Sequence, residues 1–86
     1  MTASYNVVIR RSAEKELRGV PKADLERITR KIKRLGMEPR PHGVEKMEVS
    51  DHYRIRQGDW RAVYAVDDAG KTVTVLKIGN RREVYR

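Results

Sequence analysis

The stretch Tyr53–Tyr64, which reads YRIRQGDWRAVY, predicts two short antiparallel strands joined by a Gly-Asp turn at positions 58–59. Alternating side chains on both sides of a two-residue turn that begins with glycine are typical of a β-hairpin. In this hairpin Arg56 lies directly opposite Arg61, and Arg54 points to the same face because side chains alternate along a strand. Like charges directly opposite each other destabilise a sheet. Three guanidiniums on one face therefore indicate an anion site, and phosphate is favoured because its oxygens match the planar fork of arginine donors.

Two helices are predicted before this hairpin. Ser12 suits the N-cap of a short helix that ends near Gly19. Pro21 fits the first turn of a second helix, and Gly36 suits its C-terminal cap. Apolar residues at helical spacing predict that the second helix packs on a core, and these are Leu25, Ile28, Ile32 and Leu35. Because so few residues join the two helices, they are predicted to form an antiparallel hairpin.

Further strands are predicted at both ends of the chain. Tyr5–Ile9 is a β-prone run, Val44–Val49 is a weaker one, and Thr72–Ile78 follows a turn at residues 67–70. The order of elements is then β-α-α-β-β-β-β. It predicts the α+β class, with the helices packed on one face of a mainly antiparallel sheet. No linker or repeat interrupts this order, so residues 1–86 are predicted to form a single domain.

Charge is the strongest signal in the composition. The chain has 20 Lys and Arg against 12 Asp and Glu, a formal net charge of +8 and a pI near 10.2. A domain this basic usually binds a polyanion, most commonly nucleic acid, although an acidic protein partner or simple solubility would also account for the charge. The outer face of the second helix contributes a basic run that is as often a solvated face as a binding site: Arg27, Arg30, Lys31, Lys33 and Arg34.

Several classes of protein are disfavoured. The chain has no cysteine, which excludes disulfides and thiolate metal sites, and His42 and His52 lack the spacing of a ligand set. No run approaches the ~20 apolar residues of a membrane span, and the N-terminus lacks the apolar core of a signal peptide. We therefore expect a soluble cytoplasmic protein with no membrane partner.

The order of elements and two motifs resemble the RelE-type toxins of toxin–antitoxin systems, within the RelE/ParE superfamily. The first motif is YRIR at 53–56 followed by WRAVY at 60–64, and the second is GNRREVY at 79–85. Each motif alone is loose, but both occur at the proper separation after a helical hairpin. The resemblance covers essentially the whole chain.

This resemblance implies the toxin component of a type II toxin–antitoxin system. Such a toxin is a metal-independent endoribonuclease, or mRNA interferase, that enters the ribosomal A site beside 16S rRNA and cuts the mRNA codon there. The ribose 2′-hydroxyl attacks the adjacent phosphate, with no metal or organic cofactor. The implied protein partner is a cognate acidic antitoxin, bound in a toxin–antitoxin hetero-oligomer.

Catalytic roles carry over from the family to matching positions. Arg54 and Arg56 match two basic strand residues, Arg61 matches the arginine of the next strand, and Arg81 matches the arginine after the last strand. Tyr85 matches a C-terminal tyrosine that stacks on a base or orients the attacking hydroxyl. Arg61 and Arg81 are expected on a solvent-facing concavity. Further RNA contacts are expected from Lys46, Lys77 and Arg82.

Departures from the family pattern concern proton transfer. The best-known members have lysines where this chain has Arg54 and Arg56, and arginine does not lose its proton at working pH. Many relatives have histidine or lysine at the position of Asn80. The remaining candidates for a general base are Tyr85, His52, Glu45 and Glu48.

Two other functions remain open at this point. One is a DNA gyrase inhibitor of the ParE type, which shares the fold, although such members generally lack the full basic set with the tyrosine. The other is a non-catalytic RNA-binding or decayed toxin homologue.

Overall fold

A five-stranded sheet and two helices make up the computed structural model, which describes residues 4–48 and 51–80. In chain order the elements are β1 (Asn6–Ile9), α1 (Arg11–Leu17), α2 (Lys22–Arg34), β2 (Glu45–Lys46), β3 (His52–Gln57), β4 (Trp60–Asp67) and β5 (Thr72–Asn80). The strand order is β1-β5-β4-β3-β2. β1 runs parallel to β5, and every other neighbouring pair is antiparallel. The predicted α+β class is confirmed.

The hairpin between β3 and β4 has the predicted register. Arg56 pairs with Arg61, and Gln57 pairs with Trp60 on either side of the two-residue turn. Gly58 has a φ of 61°, a left-handed conformation that glycine adopts without steric cost. A positive φ at the first turn position alone is the pattern of a type II′ turn, whose twist matches that of the flanking strands.

The core lies between the helices and one face of the sheet. α1 contacts β5, and α2 contacts β3 and β4. The predicted apolar stripe of α2 is confirmed, because Ile28 and Ile32 are buried and Leu35 is buried just after the helix. On the sheet, residues of one face are buried beneath the helices: Tyr53, Ile55, Ala62, Tyr64, Val73, Val75 and Ile78.

A β-bulge in β5 changes which of its side chains point to each face of the sheet. The register of β4 with β5 shifts between Val63 and Tyr64, which pair with Lys77 and Val75 respectively. One extra residue on β5 reverses the alternation that follows it. Ile78 can therefore join Val75 in the core, while Lys77 points to the opposite face.

Several predicted element ends were wrong, including Pro21, which is the N-cap of α2 and not a residue of its first turn. α1 begins at Arg11 with Arg10 as its N-cap, so Ser12 is already helical. The reason is that Arg10 still belongs to the sheet ladder, with its N–H donating to the Val75 carbonyl, and the chain turns directly from strand into helix. β2 is also shorter than the predicted Val44–Val49, since only two residues pair with β3; residues 49 and 50 lie outside the described structure.

The loop between α2 and β2 is fastened to the far end of the sheet by Arg40. Its guanidinium donates two hydrogen bonds to Asp68, at 3.2 and 2.8 Å, and one to the Tyr53 hydroxyl at 2.8 Å. Asp68 also accepts a 2.6 Å bond from the Tyr5 hydroxyl. Nearby, the buried Tyr64 donates to the Pro39 carbonyl at 2.7 Å. Together these contacts fix the position of residues 38–44 relative to β3.

Asp68 is expected to make stability depend on pH only in strong acid. Hydrogen bonds from Arg40, and then from Tyr5, lower the pKa of Asp68 from 3.8 to about 2. A lowered pKa in the folded state gives a stabilisation that is complete above pH 3.8 and is lost as the pH falls towards 2. Urea unfolding of the wild type and of Asp68→Asn should therefore differ at pH 5 and converge near pH 2. A difference that persists unchanged into strong acid would contradict this linkage.

Among the described residues, neither helix is long and apolar enough to cross a membrane.

Candidate nucleic-acid interface

The three strand arginines of the hairpin lie on the face of the sheet that is opposite the helices. Arg56 and Arg61 are direct partners across β3 and β4, and Arg54 is two residues earlier on β3. Their neighbours in the strands, Tyr53 and Ile55, are buried on the helix face. The predicted common face is therefore confirmed by the register. We call Arg54, Arg56 and Arg61 the guanidinium face.

Arg54 is held by an acidic residue of β2. Glu45 lies directly opposite Arg54, and its Oε1 accepts a hydrogen bond from the Arg54 Nε at 3.0 Å. The Arg54 side chain is only 14% exposed, whereas that of Glu45 is 43% exposed. This ion pair neutralises part of the like-charge repulsion on the face and fixes the direction of the guanidinium.

The prediction that Arg61 faces solvent was wrong, because only 4% of this residue is exposed. Its Nη1 donates to the carbonyls of Gly58 and Trp60, both at 3.2 Å. The guanidinium thus folds back on the hairpin turn, where two carbonyl oxygens accept hydrogen bonds from its Nη1. Gly79 is the partner of Arg61 on β5 and has no side chain on this face. Arg61 is a buried cation that stabilises the turn as well as contributing positive potential.

Arg56 is the exposed member of the guanidinium face. Its backbone carbonyl accepts a 2.6 Å hydrogen bond from the Lys31 Nζ of α2. Its side chain has no hydrogen-bond or ion-pair partner among residues 4–48 and 51–80. An anion that approaches this face would therefore meet Arg56 first, with the charges of Arg54 and Arg61 behind it.

Two further residues predicted to contact RNA, Lys46 and Lys77, do not join the guanidinium face. Lys46 pairs with Tyr53 in the sheet register and lies over its ring, with the Nζ 5.5 Å from the ring centroid. It therefore belongs to the other face of the sheet. Lys77 shares the face of Arg61, but its Nζ is 3.2 Å from the Glu16 carboxylate of α1. Glu16 also accepts the Ile78 N–H at 2.8 Å, so it caps the part of β5 that extends beyond β1.

Three predicted site residues, Arg81, Arg82 and Tyr85, lie outside the described residues. Of the candidate bases that are described, Glu48 is exposed and His52 is half-buried at the start of β3. Glu45 contacts Arg54 directly. His52 lies on the same side of β3 as Arg54, two residues earlier. Glu45 is distinguished from it by a direct hydrogen bond with a member of the guanidinium face.

A groove of about 450 Å³ lies along the outer edge of β3. α2 and the loop before β2 form its walls, and its lining residues are Lys31, Arg34, Glu38, Pro41, His42, Gly43, Val44, Ile55 and Arg56. The sequence showed the basic run of α2 but did not separate the members that face this groove from those that face solvent. It gave no sign of Arg40, whose partners Tyr5 and Asp68 are distant along the chain.

Comparison with known protein families identifies the chain. The family described as the ParE toxin of the type II toxin–antitoxin system parDE matches residues 7–85. The chain belongs to the RelE/ParE superfamily of toxins.

This toxin is similar to solved RelE proteins. RelE in its complex with RelB from Pyrococcus horikoshii OT3 is 34% identical, with a TM-score of 0.81 over 91% of this chain and 96% of that one. Isolated RelE from E. coli is 28% identical, with a TM-score of 0.80 over 95% of this toxin and 92% of that chain. A relative from Methanocaldococcus jannaschii, described as a candidate RelE1 toxin, is 28% identical over 95% of this toxin and 96% of the relative. The resemblance to RelE-type toxins is confirmed by these relatives.

Proposed function

We propose that this toxin is a metal-independent endoribonuclease that cleaves mRNA in the ribosomal A site. The observation that carries the proposal is the guanidinium face, with one exposed arginine backed by two further guanidiniums within a single hairpin. Cations fixed at one place are suited to bind a phosphodiester and to stabilise the negative charge that develops on it.

Catalysis in this proposal is mainly electrostatic. The ribose 2′-hydroxyl attacks the adjacent phosphorus, and the bond to the 5′-oxygen of the next nucleotide breaks. The products are a 2′,3′-cyclic phosphate and a 5′-hydroxyl, whose oxygen takes its proton from solvent. Arg56 contacts the phosphate oxygens, whose charge increases in the transition state. Arg61 is held by the hairpin turn and adds positive potential without reorganising. The ribosome supplies the in-line geometry by holding the codon.

Proton transfer is the role for which the residues differ most from the family pattern. Glu45 is the carboxylate that contacts the guanidinium face, at 3.0 Å from Arg54. We therefore assign it the acceptance of the 2′-hydroxyl proton. Arg81 and Tyr85 keep the roles implied by the resemblance, namely charge stabilisation and base stacking or hydroxyl orientation.

Partners follow from the same proposal. RelE is bound to RelB in the Pyrococcus horikoshii and E. coli complexes. We propose that this toxin likewise forms a hetero-oligomer with an acidic antitoxin, which would neutralise its net charge of +8. When the antitoxin is absent, mRNA and 16S rRNA are the proposed polyanionic partners.

A second candidate function is favoured by the family description, which names a ParE toxin. In this alternative the toxin inhibits DNA gyrase by binding it, and the guanidinium face has no catalytic task. The basic set on β3 and β4 argues for the nuclease, because inhibition by binding does not require a phosphate-binding cluster.

Expression without an antitoxin distinguishes these functions. The nuclease should arrest translation and produce mRNA cuts in phase with codons. A DNA damage response with intact mRNA would support the gyrase inhibitor, and normal growth with soluble toxin would support a decayed homologue. Arg56→Gln, expressed in the same way, should lose the mRNA cuts. Arg30→Gln is its matched control, since it removes one exposed arginine from α2 without touching the guanidinium face.

A further inference from the structure

The groove along β3 has two features of a binding site: an edge of the sheet without a strand partner in the described structure, and walls that are held in place. β2 pairs only with Tyr53 and Arg54, so the outer edge of β3 from Ile55 onward has no strand partner among the described residues. α2 and the loop at 38–44 stand on either side of this edge. The loop is held in place by the Arg40 and Tyr64 contacts, so the groove has fixed walls.

The basic side chains that line the groove have few hydrogen-bond or ion-pair partners among the described residues. Arg34 and Arg56 have no hydrogen-bond or ion-pair partner for their side chains among residues 4–48 and 51–80. Lys31 donates one hydrogen bond, to the Arg56 carbonyl, and retains two further donors. The one acidic lining residue is Glu38, which has no ion-pair partner within the described structure. Three basic side chains against one carboxylate give the groove a positive potential.

Arg56 connects the groove to the guanidinium face. It lines the groove and is also the exposed member of the arginine cluster. The groove and the guanidinium face therefore meet at Arg56, on the outer edge of β3. An RNA chain that bends around this edge reaches Lys31 and Arg34 from the guanidinium face.

We propose that this groove binds a backbone phosphate of single-stranded RNA, next to the phosphate held at the guanidinium face. Lys31 and Arg34 contact the phosphate, and the inference rests on the proposed RNA-directed function. The lining of Val44 and Ile55 provides an apolar surface for the attached nucleoside. The volume of about 450 Å³ lies in the range of small-molecule sites and accommodates a nucleotide.

An acidic protein segment fits the groove less well than RNA. Glu38 lies among the lining residues, and its charge disfavours a run of several carboxylates more than it disfavours a single phosphate. A nucleotide has one negative phosphate together with hydroxyl and amino donors, which a carboxylate can accept. The arginine fork also matches phosphate oxygens in bidentate fashion. We therefore favour RNA, and an effect on a protein partner alone becomes an outcome that overturns the proposal.

Paired double variants test the proposal. Lys31→Gln/Arg34→Gln removes two charges from the groove, while Arg30→Gln/Lys33→Gln removes two charges from a neighbouring surface of the same helix. The probe is a six-nucleotide RNA with 2′-O-methyl groups, which cannot be cleaved, and its affinity is measured by fluorescence anisotropy over a range of salt concentrations. Thermal unfolding of both variants verifies that the fold is retained.

The groove variant is expected to bind the RNA at least ~10-fold more weakly at low salt, because charge-assisted hydrogen bonds are lost. The slope of log affinity against log salt should become shallower by about 1.4, which is two phosphate contacts at about 0.7 each. The control variant should keep an affinity closer to that of the wild type. Lys31→Arg, which retains charge and donor, should also retain binding. Equal losses in the two double variants would overturn the proposal, since they would reflect net charge alone.

Ribosomes and antitoxin provide the remaining arms of the test. A groove-specific loss with the oligonucleotide supports the proposal. A loss with ribosomes only would indicate an rRNA phosphate and would overturn the assignment to the phosphate next to the guanidinium face. A loss confined to antitoxin affinity, or no measurable binding of the wild type to either RNA, would overturn the inference. Cleavage is scored separately: groove-dependent RNA binding by a toxin that cuts no mRNA would refute the nuclease proposal and leave this inference standing.

Discussion

Replacing Arg56 with glutamine is expected to slow A-site cleavage by about 10²–10³-fold, the usual cost of removing one donor that stabilises a developing oxyanion. The side chain is exposed and has no partner in the described part of the chain, so its removal leaves no buried group unsatisfied. The free energy of unfolding should therefore stay within about 0.5 kcal/mol of the wild-type value. Single-turnover cleavage on programmed ribosomes, together with urea unfolding, measures both quantities.

Arg61 provides an instructive contrast with Arg56. Its substitution would remove hydrogen bonds to the Gly58 and Trp60 carbonyls, so a loss of activity would be mixed with a loss of stability. Arg30→Gln is the matched control for charge, since Arg30 is exposed on α2. Cleavage by Arg56→Gln within a few-fold of the Arg30→Gln rate would refute the role assigned to the guanidinium face.

Truncation of Tyr64 to alanine is expected to produce the largest loss of stability, about 3–5 kcal/mol, as for other large aromatic residues in cores. Tyr64 is fully buried, and its ring stacks on that of Tyr53 with centroids 5.8 Å apart. A domain of 86 residues has a total stability of only about 4–13 kcal/mol. The variant should thus be partly or wholly unfolded at 37 °C, which circular dichroism and urea unfolding will detect.

Tyr64→Phe separates packing from hydrogen bonding at the same position. It retains the ring and removes only the 2.7 Å hydrogen bond to the Pro39 carbonyl. The expected cost is about 1–3 kcal/mol, since the carbonyl is left without this donor. Burial also raises the pKa of Tyr64, so the hydroxyl remains a donor throughout the neutral range. Equal stabilities of Tyr64→Ala and the wild type would show that this core is assembled differently.

Local sequence signals determined the parts of the fold that were predicted correctly. The hairpin register follows from alternation and from glycine at the first turn position, which together place Arg56 opposite Arg61. The apolar spacing of α2 likewise identifies its buried side. Both signals come from residues that are close together along the chain, so they do not depend on distant contacts.

Contacts between distant residues account for what the sequence did not indicate. The burial of Arg61 depends on where its guanidinium can find carbonyl acceptors once the turn has formed. The hydrogen bond from Arg40 to Asp68, which holds the loop in place, joins residues 28 positions apart. This contact forms only in the folded chain, so no local pattern of the sequence indicates it. The division of the basic run on α2 between groove and solvent depends in the same way on the position of this loop.

The most direct test of the proposed function is primer extension on mRNA in programmed ribosomes after purified toxin is added, beside the same mRNA free in solution. Discrete cuts within the A-site codon, absent from free mRNA and strongly reduced with Arg56→Gln, are the expected result. Intact mRNA at high concentrations of folded toxin would contradict the ribosome-dependent nuclease and direct attention to gyrase.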